Sequence, residues 1–163
     1  RAAALDTLEA QFQEVSEYAA DRGVTLCLEP LNRYETSVFN TADQMLELID
    51  RVDHPNCQVL LDSFHMNVEE TDPAAAIRRT GDRLGHFHAC RNDRGAPGSG
   101  NIDWASIADA LDDAGYDDQA VIESFTPDVK AIARATSIWR PLAESQDALA
   151  ADGLANLRSV FRA

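Results

Sequence analysis

The stretch "CQVLLDSF", Cys57 to Phe64, decides what kind of fold this chain makes. It is a short apolar run of β-tolerant residues that closes on an aspartate, which reads as a strand buried on both faces with a polar group near its carboxyl end. Three other stretches have the same form: "VTLCLEPL" (24–31), "LGHFHAC" (84–90) and "AVIESF" (120–125). Helical patterns lie between them. "TADQMLELIDRV" opens with the capping pair Thr41 and Gln44 and places Met45, Leu48, Ile49 and Val52 on one face. Asp72-Pro73 starts a short helix that ends near Gly81, and Asp103 caps one carrying Ile107 and Leu111 that stops at Gly115. A leading helix followed by four βα units is the pattern of a parallel α/β sheet.

Four such strands belong either to an open doubly wound sheet or to half of a (β/α)8 barrel. A whole barrel takes about 250 residues, and this chain has 163. Its first segment, "RAAALDTLEAQFQEVSEYAADRG", is helical, with Leu5, Leu8, Phe12 and Val15 in register, but has no initiator Met and no cap. The chain is therefore expected to begin within a helix and to be the C-terminal part of a longer protein. The tail reads as "DVKAIARATSIW", a break at Pro141, and "SQDALAADGLANLRSVFR" with Leu149, Leu154, Leu157 and Phe161 on one face. Residues 1–163 are read as a single partial domain.

Composition narrows the function. The formal net charge is −14 and the only lysine is Lys130, so the surface repels phosphate backbones and no basic patch offsets it. Nucleic acid is not an expected partner. Neither is a membrane, because no apolar run approaches the roughly 18 residues of a spanning helix. Cys27, Cys57 and Cys90 are odd in number and far apart, which fits neither a disulfide framework nor a thiolate zinc site and points to a reducing, cytoplasmic compartment.

Side chains of one parity share a strand face, so Thr25, Cys27 and Glu29 group together, as do Gln58, Leu60 and Asp62, His86 and His88, and Val121 and Glu123. Each strand ends in a metal-capable group: Glu29, Asp62, His88 and Glu123, at successive intervals of 33, 26 and 35 residues. Sites in parallel α/β folds form at these strand ends, so the four are expected to converge. Three packed carboxylates repel unless a cation neutralises them, and a set of oxygens with one imidazole suits Mn²⁺, Co²⁺ or Mg²⁺. His86, one pleat deeper, is expected to be a hydrogen-bonded supporting residue. Glu35, His65 and Arg94 lie just past the strands on the same rim, where they are placed to bind a hydroxylated ligand. "GAPGSG" (95–100) lacks the phosphate-loop spacing and lysine, and reads as a flexible rim loop.

The stretches "CLEPLNRYE", "LLDSFHMNVEE", "GHFHACRNDRGAPGSGNIDW" and "VIESF" resemble the second half of the ketohexose 3-epimerases, the D-tagatose and D-psicose 3-epimerase group of the xylose-isomerase-like TIM barrels. The similarity runs from about residue 1 through the tail, including "SIWRPLAESQDALAADGL". It implies that the chain is the second half of a TIM barrel, with the first half absent. It also implies a metal held by Glu29, Asp62, His88 and Glu123, an acid/base pair of Glu29 and Glu123, and sugar contacts from Glu35, His65 and Arg94. The implied reaction is metal-assisted loss and return of the C3 proton through an enediolate, with one glutamate on each face. Oligomers are common in this group, so a homo-oligomer is expected of the full-length protein.

Two other readings use the same residues. An aldose–ketose, hydroxypyruvate-type or inosose isomerase or dehydratase would use the same metal with another substrate pose, and a non-catalytic sugar-binding domain would keep the fold alone. Metal-dependent apurinic endonucleases are set aside, because they need a richer histidine set than the four histidines here and a basic surface.

Overall fold

The computed structural model describes residues 2–161, and the part of the first helical reading at Arg1 and of the last at Arg162 lies outside the described residues. The elements run α1 (Ala2–Ala20), β1 (Leu26–Leu28), α2 (Ala42–Val52), β2 (Cys57–Asp62), α3 (Ser63–Glu69), α4 (Pro73–Thr80), β3 (Leu84–His88), α5 (Trp104–Asp113), β4 (Ala120–Val121), α6 (Lys130–Thr136) and α7 (Gln146–Val160). The strands form one sheet in the order β1-β2-β3-β4, and every pairing is parallel. At the carboxyl ends, Asp62 lies beside His88 and His88 beside Val121.

The caps foreseen in the sequence are made. Thr41 accepts from Gln44 N–H, Asp72 from Ala75 N–H ahead of Pro73, and Asp103 from Ser106 N–H. In α2 the reciprocal half of the capping box lands one residue early, with Asn40 N–H donating to Gln44 Oε1 at 2.8 Å. Met45, Leu48, Ile49 and Val52 are buried, as are Ile107 and Leu111 of α5. They pack with Ile77 on the sheet face made by Val59, Leu61 and Phe87, where each large apolar side chain contributes about 1.5–3 kcal/mol.

The structure departs from the sequence reading of the elements in several places. The strands are buried on one face in this chain. Cys27, Gln58, Leu60 and His86 lie on the face that in a (β/α)8 barrel points to the interior, and are half-buried because four strands alone do not close it. A helix, α3, follows β2 directly and takes Ser63 and Phe64 from the stretch read as strand, because the Asp62 side chain caps it by accepting from Phe64 N–H at 2.7 Å. Val15 of α1 is exposed and Ser16 is the buried residue, so the inward stripe turns at the helix end. In α7 the buried stripe is Leu149, Gly153 and Leu157, spaced by four, and Leu154 faces solvent. The helix α6 stops at Thr136, with Ser137 in the left-handed region and Trp139 exposed beyond it.

Candidate active site

Glu29 follows β1, Asp62 and His88 end β2 and β3, and Glu123 stands two residues past β4. The outer strands are short, three residues in β1 and two in β4, so Glu29 and Glu123 are carried on backbone that has left the ladder. All four side chains nevertheless converge. The ligand atoms of Glu29, Asp62 and His88 lie within 4.8 Å of one another, and so do those of Asp62, Cys90 and Glu123. The ends of β2 and β3 are fastened by Ser63, whose Oγ accepts from Cys90 N–H at 2.7 Å and whose hydroxyl donates to the Cys90 carbonyl.

Asp62 is the centre of the cluster and is fully buried. Its Oδ2 accepts from Arg94 Nη1 at 2.6 Å and stands 3.6 Å from His88 Nδ1. His88 and Arg94 outweigh the cost of burial and hold the Asp62 carboxyl well below the usual carboxylate range. Glu123 Oε2 meets the same Arg94 Nη1 at 2.8 Å and the same His88 Nδ1 at 3.6 Å. The two carboxylates facing His88 push its pKa up to about 9. Burial, reinforced by the charge of Asp62, pushes Glu29 up to about 7.

These residues fit a divalent cation. Glu29 Oε1 and His88 Nδ1 are buried polar atoms with no hydrogen-bond partner, an arrangement that costs free energy unless something else satisfies them. A bound cation would keep His88 neutral and Glu29 ionised, and three carboxylates against the single charge of Arg94 would then leave two negative charges, the charge of one such ion. His86, expected to hydrogen-bond, instead sets its ring edge-on against that of His88, with centroids 5.1 Å apart.

Glu35, His65 and Arg94 all line one pocket of about 160 Å³ with Glu29, Glu123, Phe64 and Phe125. His65 lies on α3 and is buried; its Nδ1 accepts from Asn32 N–H at 3.1 Å, and Asn32 Nδ2 in turn donates to Glu35 Oε1 at 2.8 Å. Burial lowers the His65 pKa, so the ring is neutral, and with Nδ1 accepting its proton sits on Nε2. Arg94 Nη2 stands 3.1 Å from that Nε2. Both groups line the pocket, where they can hold an oxygen bound beside them, which is what a hydroxylated ligand offers. Sequence reasoning missed Asn32 and Cys90. Cys90 had a signal, because the alternation that picks out His86 and His88 reaches it next; Asn32 had none.

Arg94 is held by its loop. Its φ is +68°, its N–H donates to the Arg91 carbonyl at 2.8 Å, and its own carbonyl accepts from Ser124 Oγ at 2.6 Å. The guanidinium lies over the Phe64 ring, 4.1 Å from its centroid. The glycine-rich segment expected to be a flexible rim loop is tied down by α7: Asn156 Nδ2 donates to the Pro97 carbonyl at 3.0 Å. At Gly153 a Cβ would meet Pro97 Cδ at 2.8 Å and Ile122 Cδ1 at 2.9 Å, so only glycine lets the helix come this close. Asn156→Ala or Gly153→Val is expected to raise amide hydrogen exchange across residues 91–101, by about fivefold to thirtyfold for each 1–2 kcal/mol lost. Exchange unchanged in both variants would show that α7 does not hold the loop.

A parallel sheet with this cluster at the carboxyl ends of its strands agrees with the family comparison: the chain belongs to the xylose isomerase-like TIM barrel family, whose model matches residues 1–160. Within it the resemblance is to sugar epimerases. The chain is 39% identical over 155 residues to a probable ketose 3-epimerase of Synechocystis, covering 95% of this chain and 54% of the relative. It is 42% identical over 143 residues to an L-ribulose 3-epimerase of Mesorhizobium japonicum, covering 86% and 48%. Among solved structures, the D-psicose 3-epimerase of Clostridium cellulolyticum with D-tagatose superposes with a TM-score of 0.88 at 36% identity, covering 95% of this chain and 55% of that one. The chain thus spans about half the length of the curated relatives it matches.

Proposed function

We propose that this protein epimerises a ketose at C3, with Glu29 and Glu123 as the proton-transferring pair and Glu29, Asp62, His88 and Glu123 as the ligands of a divalent metal, Mn²⁺ in first place and Co²⁺ or Mg²⁺ as alternatives. The observation that carries this reading is the placement of two glutamates, just past β1 and β4, on one small pocket beside buried Asp62 and half-buried His88. The likeness to ketose and L-ribulose 3-epimerases, and to an enzyme solved with D-tagatose, supports a ketose as the substrate class. When bound, the metal lowers the cost of negative charge on the sugar oxygens at C2 and C3.

The protein's own groups do the rest. One glutamate takes the C3 proton and the other returns one to the opposite face of the planar enediolate; in the reverse direction they exchange roles. The pair His65 Nε2–H and Arg94 Nη2 grips a sugar oxygen, and Asn32 keeps the ring in the tautomer that donates. Phe64 and Phe125 wall the pocket and limit water around the carbanion-like intermediate. No helix among the described residues is long and apolar enough to cross a membrane.

The test is exchange in D₂O with Mn²⁺ and D-fructose, D-tagatose or their C3 epimers, followed by NMR. Deuterium at C3 with formation of the C3 epimer is the expected result. Deuterium at C1 with aldose product would replace this reading with the isomerase one.

A further inference from the structure

Cys90 has no part in the reaction described above, yet its thiol lies at the heart of the site. The side chain is fully buried, with Sγ 3.3 Å from Asp62 Oδ2 and 3.2 Å from the Glu123 carbonyl. The three donor atoms Asp62 Oδ2, Glu123 Oε2 and Cys90 Sγ surround one cationic atom. Arg94 Nη1 stands 2.6 Å, 2.8 Å and 3.1 Å from them respectively. A tetrahedral ion with bonds of about 2.0–2.3 Å holds its donors about 3.3–3.7 Å apart, and the Cys90–Asp62 pair already has that spacing.

The donor set differs from the oxygen and imidazole set proposed above. It has two hard corners and one soft one, and a thiolate corner selects Zn²⁺ or Cd²⁺ over Mn²⁺ or Mg²⁺. We propose that Asp62, Cys90 and Glu123 form a latent position for a thiophilic dication, Zn²⁺ or Cd²⁺, and that Arg94 fills it as a tethered cation, so that this arginine decides which metals the active site admits. For such an ion to enter, the guanidinium must leave and the thiol must give its proton to solvent. One S–H bond breaks and one metal–sulfur bond forms, with no change of oxidation state. The proposal shares Asp62 and Glu123 with the metal set of the preceding section, but its test needs no sugar and no turnover.

The experiment is titration of the purified protein with Cd²⁺, read by the ultraviolet thiolate-to-cadmium charge-transfer band, with Mn²⁺ as the control. Wild type is expected to bind Cd²⁺ without the band. Arg94→Gln is expected to show the band at one equivalent, Arg94→Lys to suppress it by keeping the charge, and Arg94→Gln with Cys90→Ser to lose it. A comparison free of any Arg94 variant decides the same point should Arg94→Gln not fold: Cys90→Ser is expected to leave the wild-type Cd²⁺ affinity unchanged, because the soft corner is closed. A band in wild type, no band in folded Arg94→Gln, a band that survives Cys90→Ser, or an affinity loss of about tenfold or more in Cys90→Ser alone would each overturn the proposal. Failure of the epimerase reading is seen separately, as absent C3 exchange in wild type with Mn²⁺.

Discussion

Glu29→Gln and Glu123→Gln are each expected to lower the rate of C3 epimerisation by about 10²–10⁴-fold, the usual worth of a positioned acid or base. The amide keeps an oxygen in place of the carboxylate but can neither take a proton nor supply the negative charge that the carboxylate offers a metal, so each variant is measured at saturating Mn²⁺. The two losses are expected to differ in kind. With one glutamate gone, the other still faces one side of C3, so each variant should wash deuterium into one epimer and not the other, with opposite preferences. The check is to incubate each variant separately with D-fructose and with its C3 epimer in D₂O. Two variants with the same preference, or one with full epimerisation, would remove the two-base mechanism.

Asp62 carries the second large effect, this time on stability. Its carboxylate meets Arg94 and His88 and also caps α3, all from a fully buried position. Asp62→Ala leaves the Arg94 charge buried with only Glu123 beside it, and is expected to cost about 3–5 kcal/mol in urea unfolding. Asp62→Asn should recover about 1 kcal/mol of that through the retained helix cap, and no more, because it restores no charge. An Asn variant as stable as wild type would mean that the ion pair with Arg94 contributes nothing to the fold. Both variants are also expected to lose Mn²⁺ binding, measured by equilibrium dialysis.

The order of elements and the convergence of Glu29, Asp62, His88 and Glu123 were legible in the sequence because both follow from short-range rules. Period-2 alternation, caps at Thr41, Asp72 and Asp103, and the recurrence of one polar group per βα unit need no knowledge of tertiary structure. The failures have tertiary causes. Glu123 stands beyond a strand of only two residues, so its position depends on Cys90 and Arg94 reaching across from the neighbouring loop. The helix α3 is seven residues long and has no sequence breaker before it, so its start was hidden in an aspartate also claimed by the site. Leu154 and Val15 sit at helical spacing from buried residues yet face water, because Gly153 and Ser16 are the positions that lie against neighbours. A periodic apolar stripe says which face is available, and only packing says which residues of it are used.

The support that α7 gives to the loop of Arg94 has a consequence for how the protein comes into being. Asn156 follows Pro97 by 59 residues, so a ribosome adding about 5–20 residues per second needs several seconds between making the loop and making its brace. During that interval the strands and their carboxylates already exist, while the loop that carries Arg94 has its local ties but not its brace. The loop of Arg94 is therefore completed only after α7 has been made and has docked, later than the strands it serves.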